Sequence, residues 1–268
     1  MNVYIPTCDA NIFVIKYFQY FFNKYWDDNT NVKILGFNPP NFKLDKNFEF
    51  ISLGDKQENG AKGWSNYLID FFETIDDEFF IFGIDDFMVA RPVDHKLLEM
   101  CKKEIMTDDS IGRVDLQCSL QYARSRKDVS PHKIVDGVGF LKLKQSGHGR
   151  DIYRVGGAFS IWRKSWFLKN MKRNWSPWDW ELKGSKLSEN DGYEVIGTFN
   201  RWAVKKVEML SGHWGDIMNV RALREEDIQK MKEMVDDKDR VTTFHKIMDD
   251  KWGYEVLGNR WVEVIYGE

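Results

Sequence analysis

Two kinds of apolar spacing alternate along residues 1–220. Short β-branched and aromatic runs suit buried strands, and between them lie stretches whose apolar positions recur every three or four residues, as in helices packed on a core. "NVYIPT" (2–7) reads as a first strand stopped at Pro6, and "ANIFVIKYFQYFFNKYW" (10–26) as a helix with Asp9 placed to cap it. "NVKILGFN" (31–38) and "FEFISLG" (48–54) read as strands, "GWSNYLIDFFETI" (63–75) as a helix, and "EFFIFGIDD" (78–86) as a fourth strand. A helix over 93–106 follows Pro92, then strands over 111–117, 136–145 and 153–162, and helices over 163–172 and 174–187, the last with Pro177 in its first turn. Strands over 194–199 and 203–210 close the pattern.

This order predicts an α/β fold with a mixed, mostly parallel sheet flanked by helices. From residue 221 the chain turns charged and helical and ends in a hairpin pattern centred on Gly258. We therefore expect a domain over 1–220 and a small helical and hairpin extension over 221–268, packed on the core.

Composition narrows the function classes. The net charge of -3 gives no electrostatic case for nucleic acid. Three widely spaced cysteines, Cys8, Cys101 and Cys118, make no zinc pattern and suit a reducing compartment. "MNVYIPTCDANIF" has neither a charged n-region nor a long apolar run, so the expected setting is cytoplasmic. The aromatic helix over 10–26 is too short and too polar to span a bilayer, although it could touch a membrane surface. There is no Walker phosphate loop, no G-x-G-x-x-G after the first strand and no G-x-S-x-G elbow.

Two acidic sites remain. Asp85 and Asp86 stand at the end of the fourth strand, where ligands of open α/β sheets gather, and adjacent carboxylates there suit a divalent cation such as Mg²⁺ or Mn²⁺. The bland alternative is a solvated surface turn. "SPWDWELKGS" interleaves Asp179 and Glu181 with Trp178 and Trp180, and a carboxylate among aromatic rings suits general-base work. The bland alternative here is a first helical turn with acids favoured by the dipole.

Taken in order, "VYIPTCD", "GWSNYLIDFFETIDDEFFIFGIDDFMVARPVD", "RVGGAFSIWRKSWFLKNM" and "SPWDWELKGS" resemble nucleotide-sugar glycosyltransferases of the GT-A (Rossmann-like) fold, the kind found in bacterial surface polysaccharide synthesis and in large viruses. The resemblance spans about residues 1–215 and implies a hexosyl- or deoxyhexosyltransferase. Its partners would be a nucleoside diphosphate sugar donor and a glycan or glycolipid acceptor. It further implies that Pro6, Thr7, Cys8 and Asp9 meet the base and ribose, with Lys62 and Trp64 beside the nucleotide. The motif that usually reads Asp-x-Asp is Ile84-Asp85-Asp86 here, so the resemblance points to Asp86 as metal ligand. Asp85 would face the ribose or a metal-bound water, and His213 in "LSGHWGD" would be a third ligand. Glu181 is the implied base with Asp179 as alternate, Gly156 and Gly157 allow close approach of substrate, and Trp178 or Trp180 stacks on a sugar. A nucleotidyltransferase would also carry a carboxylate pair, but "PTCDANIF" lacks its glycine-rich basic loop. A carbohydrate-binding module that has lost catalysis would explain the incomplete acidic triplet.

Overall fold

The computed structural model describes residues 1–56, 58, 60–117, 128–146, 153–199, 203–204, 206–208 and 224–234. Its core is a nine-stranded sheet in the order β3-β2-β1-β4-β9-β6-β10-β8-β7. The strands are β1 Val3–Pro6, β2 Val32–Gly36, β3 Phe48–Ser52, β4 Phe79–Phe82, β6 Ile111–Asp115, β7 Val129–Val135, β8 Val138–Leu143, β9 Ser160–Arg163 and β10 Glu194–Thr198. Seven run one way; β8 and β9 run against them. The mixed, mostly parallel α/β sheet expected from the pattern is therefore the one observed. A two-stranded ribbon pairs β5 (Phe87–Val89) with β11 (Lys206–Glu208) directly after the Asp pair.

Because successive strand side chains point to opposite faces, β1 sends Val3 and Ile5 into one layer and Tyr4 into the other. The first layer is closed by α1 (Val14–Tyr25) and α3 (His95–Thr107). α1 packs Val14, Ile15, Phe18, Phe21, Phe22 and Tyr25, which fall on one stripe at helical spacing. The second layer is closed by α2 (Trp64–Thr74), α4 (Lys164–Lys169) and a composite helix, here called α5. α5 is α-helical over Pro177–Asp179, widens to a π-turn over Trp180–Gly184, and closes as α-helix over Ser185–Leu187.

Several local expectations are corrected. Asp9 does not cap α1, which starts at Val14 after Phe13 without a side-chain cap; its carboxylate instead takes the Asn38 backbone N–H at 3.0 Å and side-chain amide at 2.7 Å. Of the strand expected over 153–162 only the last three residues are strand, as part of Ser160–Arg163. β7 was not anticipated, because Pro131 and alternating polar residues mask an edge strand. Of the strand expected over 203–210, Lys206–Glu208 form β11, and residues 205, 209 and 210 lie outside the described residues. At the C-terminal side, helix α6 (Glu225–Met234) lies on α1; the expected hairpin around Gly258 lies outside the described residues. Among the described residues no helix is long and apolar enough to cross a membrane.

Candidate active site

The first loop, the Asp pair and the middle of α5 meet beyond the C-terminal ends of β1 and β4, where the parallel part of the sheet opens. β1 runs straight into Thr7, whose backbone N–H is bound to Leu35 O at 2.8 Å. That fixes the Thr7 side chain beside β4, and its Oγ1 donates to Asp85 Oδ2 at 2.7 Å. Asp85 is only 8 % exposed. Burial pushes its carboxyl up to about 6, opposed by the hydrogen bonds from Thr7 and from the backbone N–H groups of Asp85 and Asp86. Asp86, half-buried, is the outer member of the pair. Cys8 sits against the same corner, and burial together with the Asp85 charge pushes its thiol up, away from a reactive thiolate.

The second acidic site comes from α5. Ser176 caps it, accepting from Asp179 N at 3.1 Å, while Asp179 Oδ2 takes the Ser176 backbone and hydroxyl, a reciprocal capping box. A Lys183 contact at 2.7 Å and the two Ser176 bonds hold the Asp179 carboxyl down at about 2. Asp179 thus has structural work in helix initiation. Glu181 points elsewhere: its Oε1 accepts from Gly157 N at 3.0 Å. Gly157 O in turn accepts from Ile84 N at 3.2 Å. One residue therefore spans from the candidate base to the strand end that carries Asp85 and Asp86. A Cβ on Gly157 would come within 2.9 Å of Ile84 Cγ2, so any larger residue would force Ile84 to shift. A Cβ on Gly156 would come within 3.2 Å of Glu181 Oε1.

The sequence reading missed Arg113 on β6. Its guanidinium is buried over the Trp162 ring, donates to Ser160 Oγ at 2.8 Å and to the carbonyls of Tyr153 and Arg154 at 3.1 Å each, and is attracted by both Asp115 and Glu181. Burial lowers its pKa, the two carboxylates opposing that. A charged residue inside the apolar run "IGRVDL" was the available signal.

Pro6 ends β1 in the core, Lys62 is exposed in the turn before α2, and Trp64 begins α2 with its ring 5.5 Å from that of Trp180. Trp178 is 65 % exposed, whereas Trp180 is 1 % exposed, wedged against Phe82, Trp162 and Phe167. Trp180 as an open sugar platform is thereby corrected: its ring is core. The buried guanidiniums of Arg154 and Arg163 donate to backbone carbonyls, and Lys164 donates to Ile75 O, so none of the three is turned to a ligand's phosphate. His213 lies outside the described residues. Among the described residues no three His, Cys, Asp or Glu side chains converge as a metal cluster.

No family model and no curated protein matches this chain. Solved structures do. S. aureus TarS (residues 1–349) aligns at 12 % identity over 99 % of this chain and 81 % of that one, with a TM-score of 0.46. The galactosyltransferase LgtC with donor and acceptor sugar analogs aligns at 14 % identity over 62 % of this chain and 59 % of that one, with a TM-score of 0.36. A CMP-2-keto-3-deoxy-manno-octonic acid synthetase complexed with CTP aligns at 12 % identity over 76 % of this chain and 90 % of that one, with a TM-score of 0.41. At such values a likeness concerns chain layout alone.

Proposed function

We propose that this protein is a glycosyltransferase that moves a sugar from a nucleoside diphosphate sugar to a glycan or glycolipid hydroxyl with inversion. The observation that carries this reading is the Gly157 bridge, which joins Glu181 to the Asp85–Asp86 strand end through one peptide unit. A transferase needs a diphosphate corner and a base at fixed separation, and that bridge sets the separation.

In the proposed reaction Glu181 takes the proton from the acceptor hydroxyl. The acceptor oxygen bonds to the anomeric carbon from the face opposite the diphosphate, and the C–O bond to the diphosphate breaks with its electron pair leaving on the nucleotide. Oε1 is oriented by the Gly157 N–H, so the carboxylate does not rotate away when substrate enters. Asp85, committed to Thr7 and two backbone donors, braces the corner; Asp86 would hold a cation. A carboxylate is a hard oxygen donor suited to Mg²⁺ or Mn²⁺, which when bound would neutralise charge on the leaving diphosphate. The Thr7–Asp9 loop, braced on Asn38, is the donor-side wall.

The test is a panel of nucleoside diphosphate sugars, followed as slow release of the diphosphate, with and without Mn²⁺. Wild type is expected to turn over at least one donor. Glu181→Gln is expected to lose about 10²- to 10⁴-fold in kcat while binding that nucleotide nearly as well by calorimetry. Undiminished turnover in Glu181→Gln would remove the base from this reading. Pyrophosphate release from a nucleoside triphosphate and a sugar phosphate would instead mark a nucleotidyltransferase.

A further inference from the structure

Glu181 and Ser185 of α5, with its C-cap residue Ser188, bind the segment 154–157, whose residues are met in the opposite order along the chain. Ser188 Oγ accepts from Arg154 Nε at 3.1 Å. Ser185 Oγ accepts from Val155 N at 3.1 Å and lies 3.2 Å from Val155 O, to which its hydroxyl donates. Glu181 accepts from Gly157 N. The steps of four and three residues along the helix keep the contacts on one face, and the segment answers with residues 157, 155 and 154. Ser185 stands where the π-turn returns to α-helix, a form of irregularity that recurs at functional positions.

The helix itself has little room to shift. A Cβ on Gly184 would come within 2.7 Å of Asn170 O, so α5 is pressed against the end of α4. The segment is held at Arg154, whose carbonyl accepts from Arg113, and at Gly157; between them the Ser185 hydroxyl serves both polar groups of Val155, a fully buried residue. Without that hydroxyl, a buried N–H and C=O lose their partner and the segment must move to recover one. Such a movement carries Gly157 N off Glu181 and Gly157 O off Ile84 N.

We propose that Ser185 is a positioning residue: it fixes Val155, and through it the Gly157 bridge that orients Glu181. The proposal rests on the reading of Glu181 as base. It places the effect of Ser185 on the transfer step rather than on donor binding, because Thr7 and Asp85 are tied to each other at the ends of β1 and β4 without Ser185.

Two readouts on the full chain test it. The first is hydrogen exchange of a peptide spanning 153–158, which needs no substrate. Ser185→Ala is expected to raise exchange at Val155 and Gly157 by about 10-fold or more, and Ser185→Thr, which keeps the hydroxyl, to restore protection. The second is donor turnover: Ser185→Ala is expected to lower kcat by about 10-fold with donor KM within about threefold. Ser188→Ala, at the Arg154 end, is expected to lower the melting temperature while keeping kcat. Wild-type exchange in Ser185→Ala overturns the proposal. So does wild-type kcat in Ser185→Ala when Glu181→Gln is inactive, or a kcat loss in Ser188→Ala equal to that in Ser185→Ala. If Glu181→Gln keeps its turnover, it is the function reading that fails, and the exchange measurement still judges the Ser185 contact.

Discussion

Asp179 and Glu181 are two residues apart on a helix that turns about 100° per residue, so they face nearly opposite ways. The structure shows what that does to two acids with the same sequence context. Asp179 closes the capping box with Ser176 and pairs with Lys183, while Glu181 turns in towards Gly157 and Arg113. The pH consequence belongs to Asp179. Its folded pKa of about 2 lies below its unfolded value near 3.8, so the unfolded state binds the proton first as pH falls. The stabilisation is complete above about pH 4 and fades as pH drops through about 2. Asp179→Asn is expected to lower the melting temperature at pH 7, and the gap from wild type should close as pH falls from 4 to 2. Donor turnover should stay near wild type. A gap that stays constant across that window, or lost turnover in a folded variant, would contradict the assignment. The existence of two acidic candidates was legible in "SPWDWELKGS"; which one turns inward was not, because sequence gives the angle between them but not the face that meets the core.

The same angle separates the tryptophans of α5, and here the element decides. Trp178 projects into solvent, and Trp180 completes an aromatic cluster with Trp64, Phe82, Trp162 and Phe167. Trp180→Ala is expected to cost about 3–5 kcal/mol from lost packing and the cavity left behind. Trp178→Ala should fall within about 0.5 kcal/mol of wild type, as exposed substitutions usually do. Urea denaturation of both variants checks this, and comparable losses would mean that α5 is oriented otherwise. The elements were largely readable where apolar spacing was regular, as in α1, α3 and β4. They were not where a local rule was broken. β7 carries Pro131 on a sheet edge, and the stretch over 153–159 looks apolar enough for a strand but is drawn out along α5 by side-chain bonds from Ser185 and Glu181. The Gly157 bridge links residues 84, 157 and 181, a contact between distant parts of the chain that no short-range pattern encodes.

At the scale of the whole molecule, the sheet carries the site at one end and is covered by helices on both faces, with α1 backing the strands that lead into Thr7 and Asp85. The sequence pattern predicts an extension over 221–268 that packs on the core. In the structure α6 is joined to α1 by a buried carboxylate: Asp227, fully enclosed, accepts from Tyr25 at 2.5 Å, from Tyr20 at 3.2 Å and from Lys24 at 2.6 Å. Arg224 adds a cation over the Tyr25 ring. A carboxylate so enclosed is tolerated only because its partners are in place, and removing it takes the acceptor from the Tyr25 and Tyr20 hydroxyls and leaves Lys24 to Glu226 at 2.7 Å. Asp227→Ala is therefore expected to destabilise the whole protein by about 3 kcal/mol, the low end for breaking such a pair, since Lys24 keeps some solvent. The loss should appear as a shift of one cooperative urea transition seen alike by far-ultraviolet circular dichroism and by tryptophan fluorescence. An unchanged midpoint, or a separate early transition confined to helix signal, would show that α6 is an independent appendage. A common shift would instead make it part of the fold that holds α1, and through α1 the first strand of the site.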